Sequence, residues 1–175
     1  MNINDLDQSE LNKEWILELF YMTKGNLNVI NSAIDKKLKI RGLRKITLFE
    51  EFIKNRLFVN PNVLKMPQME VSSIEAVYIS QYIALKSLEV LDLRKNYIGD
   101  EGLEAIAQSP YLTRLKELDL RNNGITRIGM KLLSESKNLC SLVKLDLRLN
   151  KLGKRWEDKI RETGNFPLLK ELKTM

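Results

Sequence analysis

The string Leu-x-x-Leu-Asp-Leu-Arg-x-Asn occurs three times, from Leu88 to Asn96, Leu115 to Asn123 and Leu142 to Asn150, at a constant spacing of 27 residues. A fixed period of this size is the signature of a solenoid, in which no unit can bury its own apolar face and each stacks on its neighbours to share one core. Within a copy, Leu91, Asp92, Leu93 and Arg94 alternate apolar and charged, the period-2 pattern of a short strand with leucines on one face. The column Asn96, Asn123 and Asn150 falls where the chain must turn, and its amides are expected to bond backbone groups across successive turns as a structural ladder. Ile98, Ile125 and Leu152 then close the turn.

A helix is expected next in each copy. Asp100 is read as the cap of a helix carrying Leu103, Ile106 and Ala107, and Thr126 precedes Met130, Leu133 and Ser134 at the same offsets. The helices end near Ser109, Ser136 and Thr163, and the apolar column Leu85, Leu112, Leu139 and Phe166 leads back to the next strand. A strand that returns through a helix to a parallel strand does so right-handedly. The expected fold is therefore an α/β right-handed solenoid, a short horseshoe with parallel strands on the concave side and helices on the convex side, behind an α-helical amino-terminal cap.

These residues resemble ribonuclease-inhibitor-type leucine-rich repeats, closest to a 27-residue bacterial variant reading LxxLDLxxNxIGDEGxxALAxSPxL, which Leu88 through Leu112 match. The resemblance covers residues 61 to 175 and implies a non-catalytic module that binds another protein, with bacterial effectors and regulatory scaffolds among its relatives. Residues 61–87 read as a diverged repeat, since Leu64, Met66, Val71, Ala76 and Ile79 occupy the apolar columns while Met69 stands in the Asn column. Repeats 88–114, 115–141 and 142–168 follow, then a terminal strand at 169–173. In the last helix Trp156 replaces the column of Gly102 and Gly129, Glu157 that of Leu103 and Met130, and Lys159 that of Ala105 and Leu132, as suits a helix with no outer neighbour. Lys170 and Lys173 are placed to discourage pairing at the strand edge.

Residues 1–60 read as a helical cap. Residues 9–23 form an amphipathic pattern through Leu11, Trp15, Ile16, Leu19 and Phe20; a second helix follows Asn26, and a third runs from Thr47 to Leu57. One very diverged repeat could start within this segment at Leu38 and Ile40. The first seven residues are acidic and polar, unlike a secretory signal, and no stretch approaches the roughly 20 apolar residues that span a bilayer. With a single cysteine, no intramolecular disulfide can form, and a cytoplasmic location fits, although export without a readable signal stays open.

The composition narrows the chemistry. There is no histidine, the commonest general base and nitrogen ligand, and Cys140 is read as a partly buried packing residue between Leu139 and Leu142. No phosphate loop is present, so no enzyme activity, metal or cofactor is expected. What remains is a surface. On the concave face Asp92, Asp119 and Asp146 form one column and Arg94, Arg121 and Arg148 another, beside the varying columns Val90, Glu117 and Lys144, and Lys95, Asn122 and Leu149. The aspartates and arginines would neutralise one another as a self-paired grid, and the same grid presents oriented charges to a protein partner of a monomeric module. The run Lys36, Lys37, Lys39, Arg41, Arg44 and Lys45, with a net charge of +6, offers an alternative site for nucleic acid or an anionic surface; lacking interleaved aromatics, it reads first as a solvated face.

Overall fold

Short alternating strands that bury every second side chain, joined by helices with one apolar stripe, can only close a core by stacking. That is the arrangement in the computed structural model, which describes residues 21, 22, 43–153 and 156–174. The chain divides into two compact units, Met1–Phe52 and Ile53–Met175. In the first, Tyr21 and Met22 are helical; the helices expected around 9–23 and after Asn26, and the diverged repeat at Leu38 and Ile40, otherwise lie outside the described residues. Helix α1 (Leu43–Val59) is longer than the 47–57 segment read from sequence and runs across the division.

The second unit continues as β1 (Val63–Lys65), α2 (Ser73–Gln81), a 3-10 turn at Ile83–Ser87, β2 (Val90–Asp92), α3 (Gly99–Ala107), β3 (Glu117–Asp119), α4 (Arg127–Ser134), β4 (Lys144–Asp146), α5 (Trp156–Glu162) and β5 (Glu171–Lys173). The strands form one parallel sheet in chain order, and each residue pairs with the one 27 positions on: Leu64 with Leu91, Leu118, Leu145 and then Leu172. The inner columns are closed to solvent. Met66, Leu93, Leu120 and Leu147 lie beside the first leucine column, and Ile79, Ile106, Leu133 and Ile160 meet them from the helices. Each such side chain contributes roughly 2 kcal/mol by leaving water, so the stack is held chiefly by repetition of this contact.

The helix layer is spaced by glycine. A Cβ on Gly102 would sit 2.9 Å from the Ala76 Cβ and 2.7 Å from Ile98 Cγ2, so α2 and α3 approach only because that atom is missing. In α5 the same column holds Trp156, which is buried and donates from its indole N–H to the Leu152 carbonyl at 2.9 Å. Lys159 lies over its ring, 4.9 Å from the centroid. At helix starts the local chemistry differs by repeat. Ser72 and Glu75 form a reciprocal capping box on α2, and Thr126 caps α4 through a bond from the Ile128 N–H at 3.1 Å. Asp100 does not cap α3, whose N-cap is Ile98 with no side-chain bond; the acid is drawn instead to the next repeat, where two donors converge on it. Cys140 is exposed, not partly buried, because it falls on a turn after the column leucine Leu139 has already filled the core position.

Candidate functional site

The turns after β2, β3 and β4 are each locked by asparagine. Asn96 donates from Nδ2 to the carbonyls of Met66 and Leu93, both at 2.8 Å, and its Oδ1 accepts from the Met69 and Val71 N–H groups. Asn150 repeats the pattern with the Leu120 and Leu147 carbonyls and the Asn123 and Ile125 N–H groups; Asn123 bonds the Leu93 and Arg121 carbonyls and the Ile98 N–H. A second set of bonds links the far ends of the repeats, where Ser109 Oγ donates to the Ser80 carbonyl and Ser136 Oγ to that of Ala107. Both ends of each strand segment are thus tied to the neighbouring repeat, which makes the open sheet face between them a fixed template.

On that face the aspartates do not point outward. Asp92 and Asp146 are buried, and in all three copies Oδ1 accepts the backbone N–H of the arginine two residues on, at 3.2 Å. The guanidinium then closes on the same carboxylate: Arg121 reaches Asp119 at 2.6 Å and Arg148 reaches Asp146 at 2.7 Å, both with a second bond from Nε, while Arg94 meets Asp92 more loosely at 3.4 Å. Arg121 also stands 3.5 Å from Asp146, bridging two repeats. Burial pushes the Asp146 carboxyl up, but the hydrogen bonds from the Arg148 side chain and backbone and the charges of Arg148 and Arg121 outweigh it and hold the group below the ordinary carboxylate range. The hydrogen bond to Asp119 raises Arg121, and that to Asp146 raises Arg148. What the face presents is therefore the arginines, whose side chains keep 43, 28 and 38% of their surface. The carboxylates read as partner-facing are used to aim them.

Lys65, absent from the sequence reading, and Lys173, read there only as a guard of the strand edge, complete this column. Lys65 and Lys173 pair in register with Asp92 and Asp146, so the three acids are bracketed by a lysine at each end. The signal was available, since both positions lie one period outside the aspartates. Val90, Glu117 and Lys144 stand in the adjoining column, also in register, and Lys144 meets Glu171 at 4.0 Å. Lys65, Glu117, Lys144 and Lys173 line a shallow concavity of about 240 Å³ together with the Asp column, Arg121 and Arg148. Lys95, Asn122 and Leu149 sit outside it, on the rim where the strands end, and all three take left-handed backbone conformations.

Among the described residues no group of three or more His, Cys, Asp or Glu side chains could hold a metal ion, and no helix is long and apolar enough to cross a membrane. Of the basic run, Arg44 and Lys45 fall in α1 and residues 36–42 lie outside the described residues.

Comparison with known proteins agrees with this architecture. A family model described as Leucine Rich repeat matches residues 84–107 and 111–134. A search of curated proteins finds no match. Among solved structures the chain is similar to leiomodin-1 actin-binding site 2, with a TM-score of 0.56 at 17% identity, over 71% of this chain and 78% of that one. Five parallel strands in chain order, an asparagine-locked turn after the central ones and matched repeats make the unit from Ile53 onward an α/β leucine-rich-repeat solenoid.

Proposed function

We propose that the chain is a non-catalytic module that binds a protein partner through the open strand face of its repeats. The observation that carries this is the arginine column: Arg94, Arg121 and Arg148 are held by carboxylates of their own repeats while part of each side chain stays exposed. Donors fixed before binding lose little freedom on meeting a partner, and arginine is enriched at protein interfaces for its planar, multidentate geometry. The leiomodin-1 domain of similar fold is described as an actin-binding site, which supports a protein as the class of partner. The 27-residue period further supports a ribonuclease-inhibitor-type variant of the repeat.

The test avoids the aspartates, whose loss would disturb folding. A photo-crosslinking amino acid is placed at Glu117 or Lys144 on the strand face, and at Ile128, which is exposed on α4. Irradiation in native lysate is expected to join the same protein to positions 117 and 144 and none to position 128. Crosslinks confined to position 128 would overturn the reading.

A further inference from the structure

At the strand-end rim one 27-residue column takes left-handed backbone throughout: Gln68 (φ 61°), Lys95 (57°), Asn122 (52°) and Leu149 (61°). Of these types only asparagine enters that region readily. Leu149 is the oddest, for its side chain is 75% exposed and so gains nothing from the core in return for the conformation. The conformation serves the turn, since the Gln68, Lys95 and Asn122 N–H groups donate to the Arg94, Arg121 and Arg148 carbonyls of the next repeat, and their side chains are left to line the rim. These four residues, with Pro67, Arg94 and Arg121, line a groove of about 380 Å³. Its wall holds three cations, two amides and two apolar side chains, and no carboxylate. Arg94 and Arg121 are aimed by Asp92 and Asp119, while Lys95 is exposed and has no ion pair among the described residues.

We propose that this groove takes a short acidic segment of the protein partner, with a carboxylate over Arg94, Lys95 and Arg121 and apolar side chains at its two ends, one against Pro67 and one against Leu149. The proposal rests on the strand-face reading and narrows it. Charge complementarity selects an anionic partner, the apolar residues at the two ends, Pro67 and Leu149, suit the side chains of a peptide, and the lining has no aromatic ring on which a nucleobase could stack.

The experiment measures fluorescence anisotropy of three labelled probes: a ten-residue peptide alternating Asp and Leu, its Lys and Leu counterpart, and oligothymidylate of matching length. Lys95→Glu and Leu149→Asn are compared with wild type. Both positions are exposed, and asparagine suits the backbone at 149, so an unchanged urea midpoint separates lost binding from lost fold. The Asp and Leu peptide is expected to bind saturably, at least tenfold more weakly to Lys95→Glu and at least threefold more weakly to Leu149→Asn, with no binding of the Lys and Leu peptide. Absence of saturable binding, indifference to either variant, or oligothymidylate bound as tightly and unaffected by Leu149→Asn would each overturn the groove assignment. Crosslinking from positions 117 and 144 reports on the strand face independently, so a partner found there alongside a negative peptide result removes the groove alone.

Discussion

The Asp100 carboxylate accepts the backbone N–H of Thr126 at 2.7 Å and its hydroxyl at 2.6 Å, so an acid in the first turn of α3 holds the residue that caps α4. Thr126 Oγ1 in turn accepts from the Ile128 N–H, and the three groups polarise one another in a chain that crosses the repeat boundary. The acid also lies where the α3 dipole favours negative charge. Gly129 stands directly behind it, since a Cβ there would run into Asp100 Oδ1.

Asp100→Ala removes two charge-assisted bonds and leaves a backbone donor without its acceptor. A loss of about 2 kcal/mol in urea unfolding is expected, with Asp100→Asn losing less because its amide oxygen still accepts one of the two bonds. Equal stability of Asp100→Ala and wild type would show that water replaces the carboxylate at no cost.

Asn123 is buried and serves two repeats, so its replacement strands more groups than a surface amide would. Asn123→Ala strands the Ile98 N–H and takes one of two donors from each of the Leu93 and Arg121 carbonyls, which keep Asn96 Nδ2 and the Lys95 N–H, and about 2 kcal/mol of stability should go with it. Hydrogen exchange should show the Ile98 amide among those whose protection falls most.

The Asp146 carboxyl has a folded pKa below its ordinary value, so its ionised form is favoured by folding. That contribution is complete above the unfolded value of about 3.9 and fades as pH falls through the lower folded value. Wild type should therefore exceed Asp146→Asn in stability by a constant margin from pH 7 to pH 5, and the gap should narrow below pH 4. A margin that widens toward acid pH would reverse the assigned sign.

The sequence displayed the columns plainly, because a 27-residue recurrence of Leu91, Leu93 and Ile98 is a direct image of which side chains meet. It displayed poorly whatever a residue does for a neighbouring repeat. Asp100 looks like a cap for its own helix under local rules, and only the stacking distance to Thr126 reassigns it. The self-pairing of the Asp and Arg columns was legible from their adjacency, but the bond from each following arginine N–H, which turns the carboxylates back onto the chain, was not. Left-handed backbone at Gln68, Lys95 and Leu149 had no sign in residue type, Asn122 alone being suited to it. Lys65 and Lys173, by contrast, needed only that the register be carried one step further at either end.

The asparagine turn has a consequence for how such a chain can change. Since the amide of Asn96 or Asn150 secures the backbone of the turn, the side chain one position earlier, Lys95 or Leu149, owes nothing to the architecture. On the groove reading proposed above, a single codon change at that position would alter what the molecule recognises while the asparagine turn stays in place, so descendants of this chain would diversify their targets one repeat at a time.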